Sequence, residues 1–254
     1  MTITDDTQKA ALIEGGKRLG RILQTLRTAV SPGVTTEELD DMAERLIREG
    51  GDDPSFLGYT PEGAHRPYPA TLCVSINEEV VHGIPNESKK TLKEGDIVGL
   101  DLGLTHKGII VDAAITVPVG HVSDISQKLL NVTEQALADG IAQCRPGNHV
   151  GDISHAIAKT IEDGGFFVVK ALGGHGVGEL VHEEPFIPNH GRAGTGPVLH
   201  EGMVLALEPI ASVGKASVIL APDGYTYITK DGSRSAHFEH TILIENDGAR
   251  IMTQ

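Results

Sequence analysis

The spacing of apolar residues predicts four amphipathic helices with short apolar stretches between them. In each helical segment the apolar side chains recur every three, four, seven or eight residues, which places them on one face of an α-helix. The four faces are Leu12, Leu19, Leu23 and Leu26; Leu39, Met42 and Leu46; Ile125, Leu129, Leu137 and Ile141; and Val150, Ile153, Ile157 and Ile161. The stretches rich in valine and isoleucine are typical of strands: TLCVSI, DIVGLDLG, IIVDAAITV, FFVV, MVLALEPIASV and FEHTILI. The pattern therefore predicts a chain that mixes helices and strands.

The helical segments repeat along the chain. Pro32-Gly33 precedes a predicted helix that ends at Gly50-Gly51, and Pro146-Gly147 precedes one that ends at Gly164-Gly165. The interval from the proline to the first terminal glycine is 18 residues in both cases. Another amphipathic helix precedes each Pro-Gly pair. A single match of this kind can arise by chance in any α/β chain. Whether it reflects an internal repeat depends on the segments that follow.

The strands continue the repeat. LKEGDIVGLDLG aligns with LHEGMVLALEPI at an offset of 107 residues, which places Asp101 on Glu208. Upstream of each, VVHGIP with His82 resembles LVHEEP with His182. Chance explains such an ordered series much less well than it explains one match.

The repeat predicts one domain with pseudo-twofold symmetry. The domain spans residues 1–254, and its halves cover about 7–120 and 121–245. Each half contains two helices around a Pro-Gly turn, then strands, a histidine before a proline and a carboxylate inside an apolar strand. No linker or low-complexity segment separates the halves.

The charge of the chain limits the kinds of molecule that we expect it to bind. Lys and Arg number 21 against 35 Asp and Glu, a formal net charge of −14. This balance argues against a nucleic-acid surface, because affinity for nucleic acid comes mainly from Lys and Arg. It is compatible with an acidic pocket that collects cations. Without a secretory signal or a stretch of ~20 apolar residues, the sequence leads us to expect a cytoplasmic protein with no membrane partner.

Two aspartates interrupt neighbouring apolar strands. Asp101 lies in DIVGLDLG and Asp112 in IIVDAAITV, with Lys107-Gly108 between them. A hairpin that closes around Lys107-Gly108 would place both carboxylates side by side. Like charges there would repel unless a cation lay between them. Alternatively, each aspartate is an exposed strand residue or pairs with an arginine.

Two glutamates repeat this situation in the second half. Glu208 lies in MVLALEPIASV, and Glu239 precedes the apolar run Ile242–Ile244. Together with the two aspartates they carry a charge of −4, which two divalent cations would balance. The set suits a two-metal site that activates water for hydrolysis. Because the ligands are mostly hard oxygen atoms, Mn, Fe or Co is favoured over Zn.

Two histidines are candidates for the same site. His175 lies in GGHGVG, where the glycines would let the backbone approach closely and expose the imidazole at a turn. This segment lacks the Lys-Ser/Thr pair and the spacing of a phosphate-binding loop, so we interpret His175 as a metal ligand or catalytic histidine. His182, seven residues on, would face the same cavity from a strand. Apart from His82, the other nine histidines, which include His237 and His240, have no comparable context, and we interpret them as structural or surface residues.

The ordered motifs resemble those of type I methionine aminopeptidases, in their short bacterial form. The motifs are SINEEVVHGIP, DIVGLDLG, VDAAITV, GGHGVG, VHEEP, LALEPI and SAHFEHTILI, and they extend over nearly the whole chain. The resemblance implies the pita-bread fold: two pseudo-twofold-related halves of helices on a mainly antiparallel curved sheet. It implies a hydrolase that removes the initiator methionine from nascent polypeptides with two divalent metal ions.

The resemblance also implies roles for the residues above. The metal ligands are Asp101, Asp112, His175, Glu208 and Glu239, with Asp112 and Glu239 bridging the two ions. Glu208 would also carry a proton from the attacking water to the leaving amine. His182 would hydrogen-bond the scissile carbonyl. His82 would contact the scissile amide nitrogen or the group after methionine.

A pocket for the methionine side chain is implied as well. Its positions are Phe56, Tyr59, Tyr68, Cys73, Val181 and Tyr225. The segment TPEGAHRP, residues 60–67, is longer than the linker typical of the family, and it lies at the rim of this pocket.

Two other functions compete with this prediction. A proline-directed pita-bread peptidase would share the metal ligands, but it usually carries a large N-terminal domain. A non-catalytic pita-bread protein would be a binding module, and loss of ligands would mark it. As partners we expect nascent polypeptides with an N-terminal methionine and no nucleic acid. A transient contact with the ribosome is left open, and a monomer is the default.

Overall fold

Each of the four predicted helices is present in the computed structural model, which describes residues 1–254. The helices are α1 (Asp6–Ala29), α2 (Thr36–Glu49), α3 (Asp124–Ile141) and α4 (Val150–Asp163). Side chains of Asp5, Thr35 and Ser123 accept hydrogen bonds from the first turns of α1, α2 and α3, which satisfies backbone donors there. The two helices that follow the Pro-Gly turns have 14 residues each. This equality is what a repeated unit would produce.

One predicted helix face needs correction. Ile125 was assigned to the apolar stripe of α3, but it is 47% exposed. The buried side of α3 instead includes Ser126, Leu129, Leu130 and Leu137. Ser126 can lie there because its hydroxyl makes hydrogen bonds with Ser123 and Arg234.

Fifteen strands form three antiparallel sheets. The strands of the first half are β1 (Asp53–Pro54), β2 (Leu72–Ile76), β3 (Glu79–Val81), β4 (Ile97–His106) and β5 (Ile109–Pro118). Those that follow are β6 (Phe167–Val168), β7 (Gly173–Gly176), β8 (Glu183–Pro188), β9 (Val204–Leu207), β10 (Ile210–Ser212), β11 (Val218–Leu220), β12 (Tyr227–Thr229), β13 (Ser235–His237), β14 (Glu239–Glu245) and β15 (Gly248–Ile251). The predicted mixture of helices and strands is confirmed.

The large sheet has a symmetric order. Its path runs β1-β4-β5-β14-β9-β7-β8, with β2 also on β4 and β15 also on β14. Chain order rises along the series β2-β4-β5 of the first half and falls along the series β14-β9-β7 of the second half. The two series therefore meet in mirror order. The two series join where Glu239 and His240 of β14 pair with Ala114 and Ala113 of β5. We infer that these series are the two halves of the repeat and that they form one domain.

Each half has its own apolar core. The first core packs α1 and α2 against β2, β4 and β5, with Leu19, Leu39 and Leu100 fully buried. The second packs α3 and α4 against β9 and β14. Complete burial of a leucine side chain stabilises a fold by about 1.5–3 kcal/mol, so these cores hold the sheet that carries the site. None of the helices is both long and apolar enough to cross a membrane.

Candidate metal centre and its cavity

The two aspartates are brought together by the predicted hairpin. β4 and β5 turn at Lys107 and Gly108, which both have positive φ, at 50° and 81°. Two such residues define the type I′ turn, whose twist matches that of the strands. Asp101 pairs with Ala114, and Asp112 pairs with Gly103. The aspartates are therefore diagonal neighbours on one face rather than directly opposite each other.

The second half supplies two glutamates and a histidine to the same place. Glu208 directly follows β9, Glu239 begins β14 and His175 lies on β7. His175 is on a strand instead of the predicted turn. The close approach predicted from its glycines is present: a Cβ on Gly174 would lie 2.3 Å from the Ala206 carbonyl oxygen, so β7 can pack this tightly only with glycine.

The imidazole of His175 turns an unprotonated nitrogen toward the carboxylates. Its Nδ1 lies 2.9 Å from the Gly176 carbonyl oxygen, which can only accept, so Nδ1 carries the proton. Burial lowers the pKa of His175 to about 3, which keeps the ring neutral. Nε2 therefore presents a lone pair 3.6 Å from Glu208 Oε1 and 3.9 Å from Glu239 Oε1. Lone pairs that face each other in this way are the arrangement of metal ligands.

The buried polar atoms without hydrogen-bond partners support the same interpretation. Seven such side-chain atoms occur in the protein, and four of them are in this cluster: Asp101 Oδ1, Asp112 Oδ1, Glu239 Oε1 and His237 Nε2. Buried polar atoms are costly unless they are paired or coordinate a metal. Ligand atoms of Asp112, His175 and Glu239 all lie within 4.8 Å of one another. The residues present therefore fit a divalent metal site.

The carboxylates resist ionisation together when no cation is among them. Burial raises the pKa of Asp101 to about 7. Burial, and then the charge of Asp101, raise the pKa of Asp112 and Glu208 well above the usual range. Burial and the charge of Asp112 do the same to Glu239. A cation would reverse these shifts, because it stabilises the charged forms.

We expect Asp112→Asn to stabilise the metal-free protein. Removing one of four crowded carboxylates relieves repulsion, by about 1–3 kcal/mol at pH 8. A carboxyl group with a raised pKa contributes stability at low pH that is lost as the pH rises through that pKa. The advantage of the variant should therefore shrink toward pH 5, where Asp101 is protonated. Urea unfolding of both metal-free proteins at the two pH values measures this difference, and a variant that is less stable at pH 8 contradicts it.

His237 is in this cluster, although its sequence context predicted a structural or surface residue. It ends β13, is 4% exposed and places Nε2 3.6 Å from Glu208 Oε2 and 3.8 Å from Glu239 Oε2. Burial lowers the pKa of His237 to about 3, so it is a neutral neighbour of the carboxylates. His240 lies elsewhere, and its Nδ1 is 2.9 Å from the hydroxyl of Thr253.

Two further histidines line the cavity above the carboxylates. His182 lies just before β8, not on a strand as predicted, and its ring centroid is 4.5 Å from that of His175. Its Nδ1 is 2.9 Å from the Tyr59 hydroxyl. His82 has a positive φ of 59°, a strained conformation that is frequent at functional sites. Burial lowers the pKa of His82 to about 4 and also lowers that of His182.

The predicted pocket residues form the apolar end of this cavity. Phe56, Tyr68, Cys73, Val181 and Tyr225 belong to one small buried cluster, and Tyr59 packs against it. All six line the cavity that also reaches the four carboxylates and the histidines at positions 82, 175 and 182. The structure thus brings every predicted site residue into one cavity. Cys73 pairs in register with Asp101, which explains how the two ends meet.

The segment of residues 60–67 lies at the apolar end of the cavity. Pro61 lines the cavity. Arg66 makes a paired ion contact with Glu87 and donates to the Asp223 carbonyl oxygen at 3.1 Å. The guanidinium also lies 5.8 Å from the Tyr225 ring centroid, and the Tyr225 hydroxyl donates to the Arg66 carbonyl oxygen. Arg66 therefore connects a loop of the first half to the β11–β12 turn of the second.

Comparison with known proteins agrees with this geometry. The model of metallopeptidase family M24 matches residues 10–246. A methionine aminopeptidase from Aquifex aeolicus is 44% identical over 238 residues, which are 93% of this chain and 92% of the relative. A crystal structure of methionine aminopeptidase from Thermotoga maritima superposes with a TM-score of 0.95 at 41% identity and covers 100% of both chains.

A more distant likeness concerns the fold alone. Prolidase from Pyrococcus furiosus has a TM-score of 0.75 at 20% identity, and the match covers 65% of that longer chain. Together with the Thermotoga structure it confirms the predicted pita-bread fold. With the family model matched along nearly its whole length, and with the buried carboxylates and His175 in one cavity, this chain belongs to metallopeptidase family M24.

Proposed function

We propose that this chain is a methionine aminopeptidase that removes the initiator methionine from newly made polypeptides. The observation that carries the proposal is the single cavity in which an apolar pocket adjoins the carboxylate cluster. An apolar side chain in the pocket would place the peptide bond that follows it beside the carboxylates. The relatives named methionine aminopeptidase, at 43–44% identity over most of both chains, support the same activity.

Two divalent metal ions are proposed as cofactors. Asp101, Asp112, His175, Glu208 and Glu239 would hold them. Bound metal would lower the pKa of a water molecule and polarise the scissile carbonyl group. The mostly oxygen ligand set favours Mn, Fe or Co over Zn.

Glu208 is proposed to move the proton. Its carboxylate lies beside Nε2 of His175 and Nε2 of His237, and its backbone carbonyl oxygen accepts from Asn189 Nδ2 at 2.9 Å. This carboxylate can accept a proton from the attacking water and donate it to the leaving amine. Neither neighbouring histidine competes for the proton, because burial keeps both rings neutral.

His182 is proposed to stabilise the negative charge that develops on the scissile oxygen. Burial raises the pKa of Tyr59, so its hydroxyl keeps its proton, and we assign it as the donor in its 2.9 Å hydrogen bond with His182 Nδ1. The proton of the neutral imidazole is then on Nε2, which becomes a hydrogen-bond donor in the cavity. Such a donor stabilises an oxyanion without the cost of reorganising water. We propose that His82, which lines the same cavity, contacts the amide nitrogen or the residue after methionine.

We expect Arg66→Ala to raise KM for methionyl peptides by about 3- to 10-fold while kcat changes little. An exposed ion pair alone contributes at most ~1 kcal/mol. Here the Arg66 guanidinium also packs over the ring of Tyr225, which lines the pocket, so its loss would weaken binding of the methionine side chain. Steady-state kinetics with Met-Ala-Ser measure the change. Arg45→Ala, which removes another surface arginine that is paired with a glutamate, is the matched control.

The proposed substrates also suggest partners and location. The partners would be nascent polypeptides with an N-terminal methionine, met in the cytoplasm where they are made. The net charge of −14 does not favour binding of ribosomal RNA. We propose that the protein acts as a monomer.

Peptide hydrolysis tests the activity. The protein loaded with Mn, Fe or Co should release methionine from Met-Ala-Ser and leave Ala-Pro-Ala intact. Cleavage of Ala-Pro-Ala alone would instead assign a proline-directed peptidase. Binding of metal without cleavage of either peptide would indicate a binding module.

A further inference from the structure

A surface groove opens from the metal cavity on the side away from the methionine pocket. The groove and the cavity share four residues: His82, His175, His182 and Glu208. Beyond these the groove is lined mainly by apolar side chains, those of Val81, Ala171, Leu172 and Phe186, with Glu183 and Glu184 also present. A peptide whose first side chain filled the apolar pocket could leave the site through this groove.

Phe186 is the largest apolar side chain of the groove, and half of its surface is exposed. Its ring covers the backbone of Gly173: a Cβ there would lie 3.2 Å from Phe186 Cζ. Gly173 and His175 are two residues apart on β7, and both line the groove together with Phe186. The ring is therefore on the side of the metal centre, about 7 Å along the strand from His175.

The apolar surface continues past the groove. Ala171 also lines a second hollow, whose wall includes Phe167 and Val218. Phe167 is 51% exposed. Glu162 and Lys170 also line this hollow, so the track of apolar side chains runs between charged residues. Single exposed apolar residues need no explanation, but such a track that begins at an active site and extends through two adjoining hollows indicates a binding surface.

From this track we propose a subsite formed by Leu172 and Phe186 that binds an apolar side chain of the substrate, two or three residues after the methionine. The proposal rests on the proposed function, because the occupant is the downstream part of the same polypeptide. An extended peptide advances about 3.3 Å per residue, so its second or third residue beyond the scissile bond reaches the Phe186 ring. Contact with the exposed face of that ring would bury apolar surface on both partners.

Four-residue peptides with one variable position test the subsite. The peptides are Met-Ala-Ser-Ser, Met-Ala-Leu-Ser and Met-Ala-Ser-Leu, and the proteins are wild type, Phe186→Ser and Phe186→Leu. We expect wild type to cleave one of the two leucine-containing peptides with a kcat/KM about 3- to 10-fold above that for Met-Ala-Ser-Ser. Phe186→Ser should abolish this preference and leave cleavage of Met-Ala-Ser-Ser unchanged, whereas Phe186→Leu should keep most of the preference. Ile125→Ser, on the exposed side of α3, is the matched control and should behave as wild type.

The outcomes separate the subsite from the activity itself. Equal kcat/KM for all three peptides, or a preference that persists in Phe186→Ser, would overturn the subsite. Failure of wild type to cleave any of them would overturn the proposed function instead. Unchanged cleavage of Met-Ala-Ser-Ser by Phe186→Ser shows that this variant is folded.

Discussion

Glu208→Gln should lower kcat for release of methionine by about 10²- to 10⁴-fold, the range typical of a lost general acid or base. Glutamine keeps the size of the side chain and one oxygen for coordination, but it cannot accept a proton from water. Because the backbone at this position is held by Asn189, we expect the variant to fold as wild type does.

Metal content separates proton transfer from coordination in this variant. If Glu208→Gln retains both metal ions and loses turnover, the loss belongs to the proton transfer. If it loses a metal ion and excess metal restores the rate, Glu208 acts only as a ligand. Full activity without added metal would contradict both roles.

His182→Ala should lower kcat by about 10²- to 10³-fold, as the loss of one oxyanion donor does in other hydrolases. The mechanism depends on the tautomer that Tyr59 imposes, so Tyr59→Phe should reduce kcat in the same direction but by less. Since burial lowers the pKa of His182, the neutral ring persists at and below neutral pH. A change of rate that depends on titration of His182 should therefore lie below pH 6.5, the ordinary pKa of a histidine.

The pH profile distinguishes this role from a purely structural one. Kinetics of wild type, His182→Ala and Tyr59→Phe with Met-Ala-Ser provide the comparison. A rate for His182→Ala within threefold of wild type would exclude the oxyanion role. A titration near pH 6.5 in the pH–rate profile of wild type that is absent from the profile of His182→Ala would show that the ring works as an acid or base instead.

Local patterns were sufficient to predict most of the scaffold. The helices follow from apolar faces that end at polar caps or glycines, and the hairpin of β4 and β5 follows from Lys107-Gly108. The acidic residues stood out because each interrupts a strand that is otherwise apolar. A carboxylate in such a place is costly without a cation, so the interruption itself indicated the chemistry.

Features that depend on distant contacts were missed. His237 and His240 flank the same short sequence, and only the register of the strands shows that His237 faces Glu208 and Glu239. The place of Arg66 depends on partners far along the chain, since Tyr225 is 159 residues away. Neither fact is encoded in local spacing. A histidine two residues before a ligand-like glutamate was the only signal that could have identified His237.

Release of methionine from Met-Ala-Ser by metal-stripped protein, with and without added Mn, Fe or Co, is the measurement that tests the central claim most directly. We predict no cleavage by the stripped protein and restored release of methionine once two equivalents of a divalent metal are bound. Cleavage at full rate without metal, or no cleavage when two metal ions are tightly bound, would contradict the claim that the buried carboxylates form a metal-dependent catalytic centre.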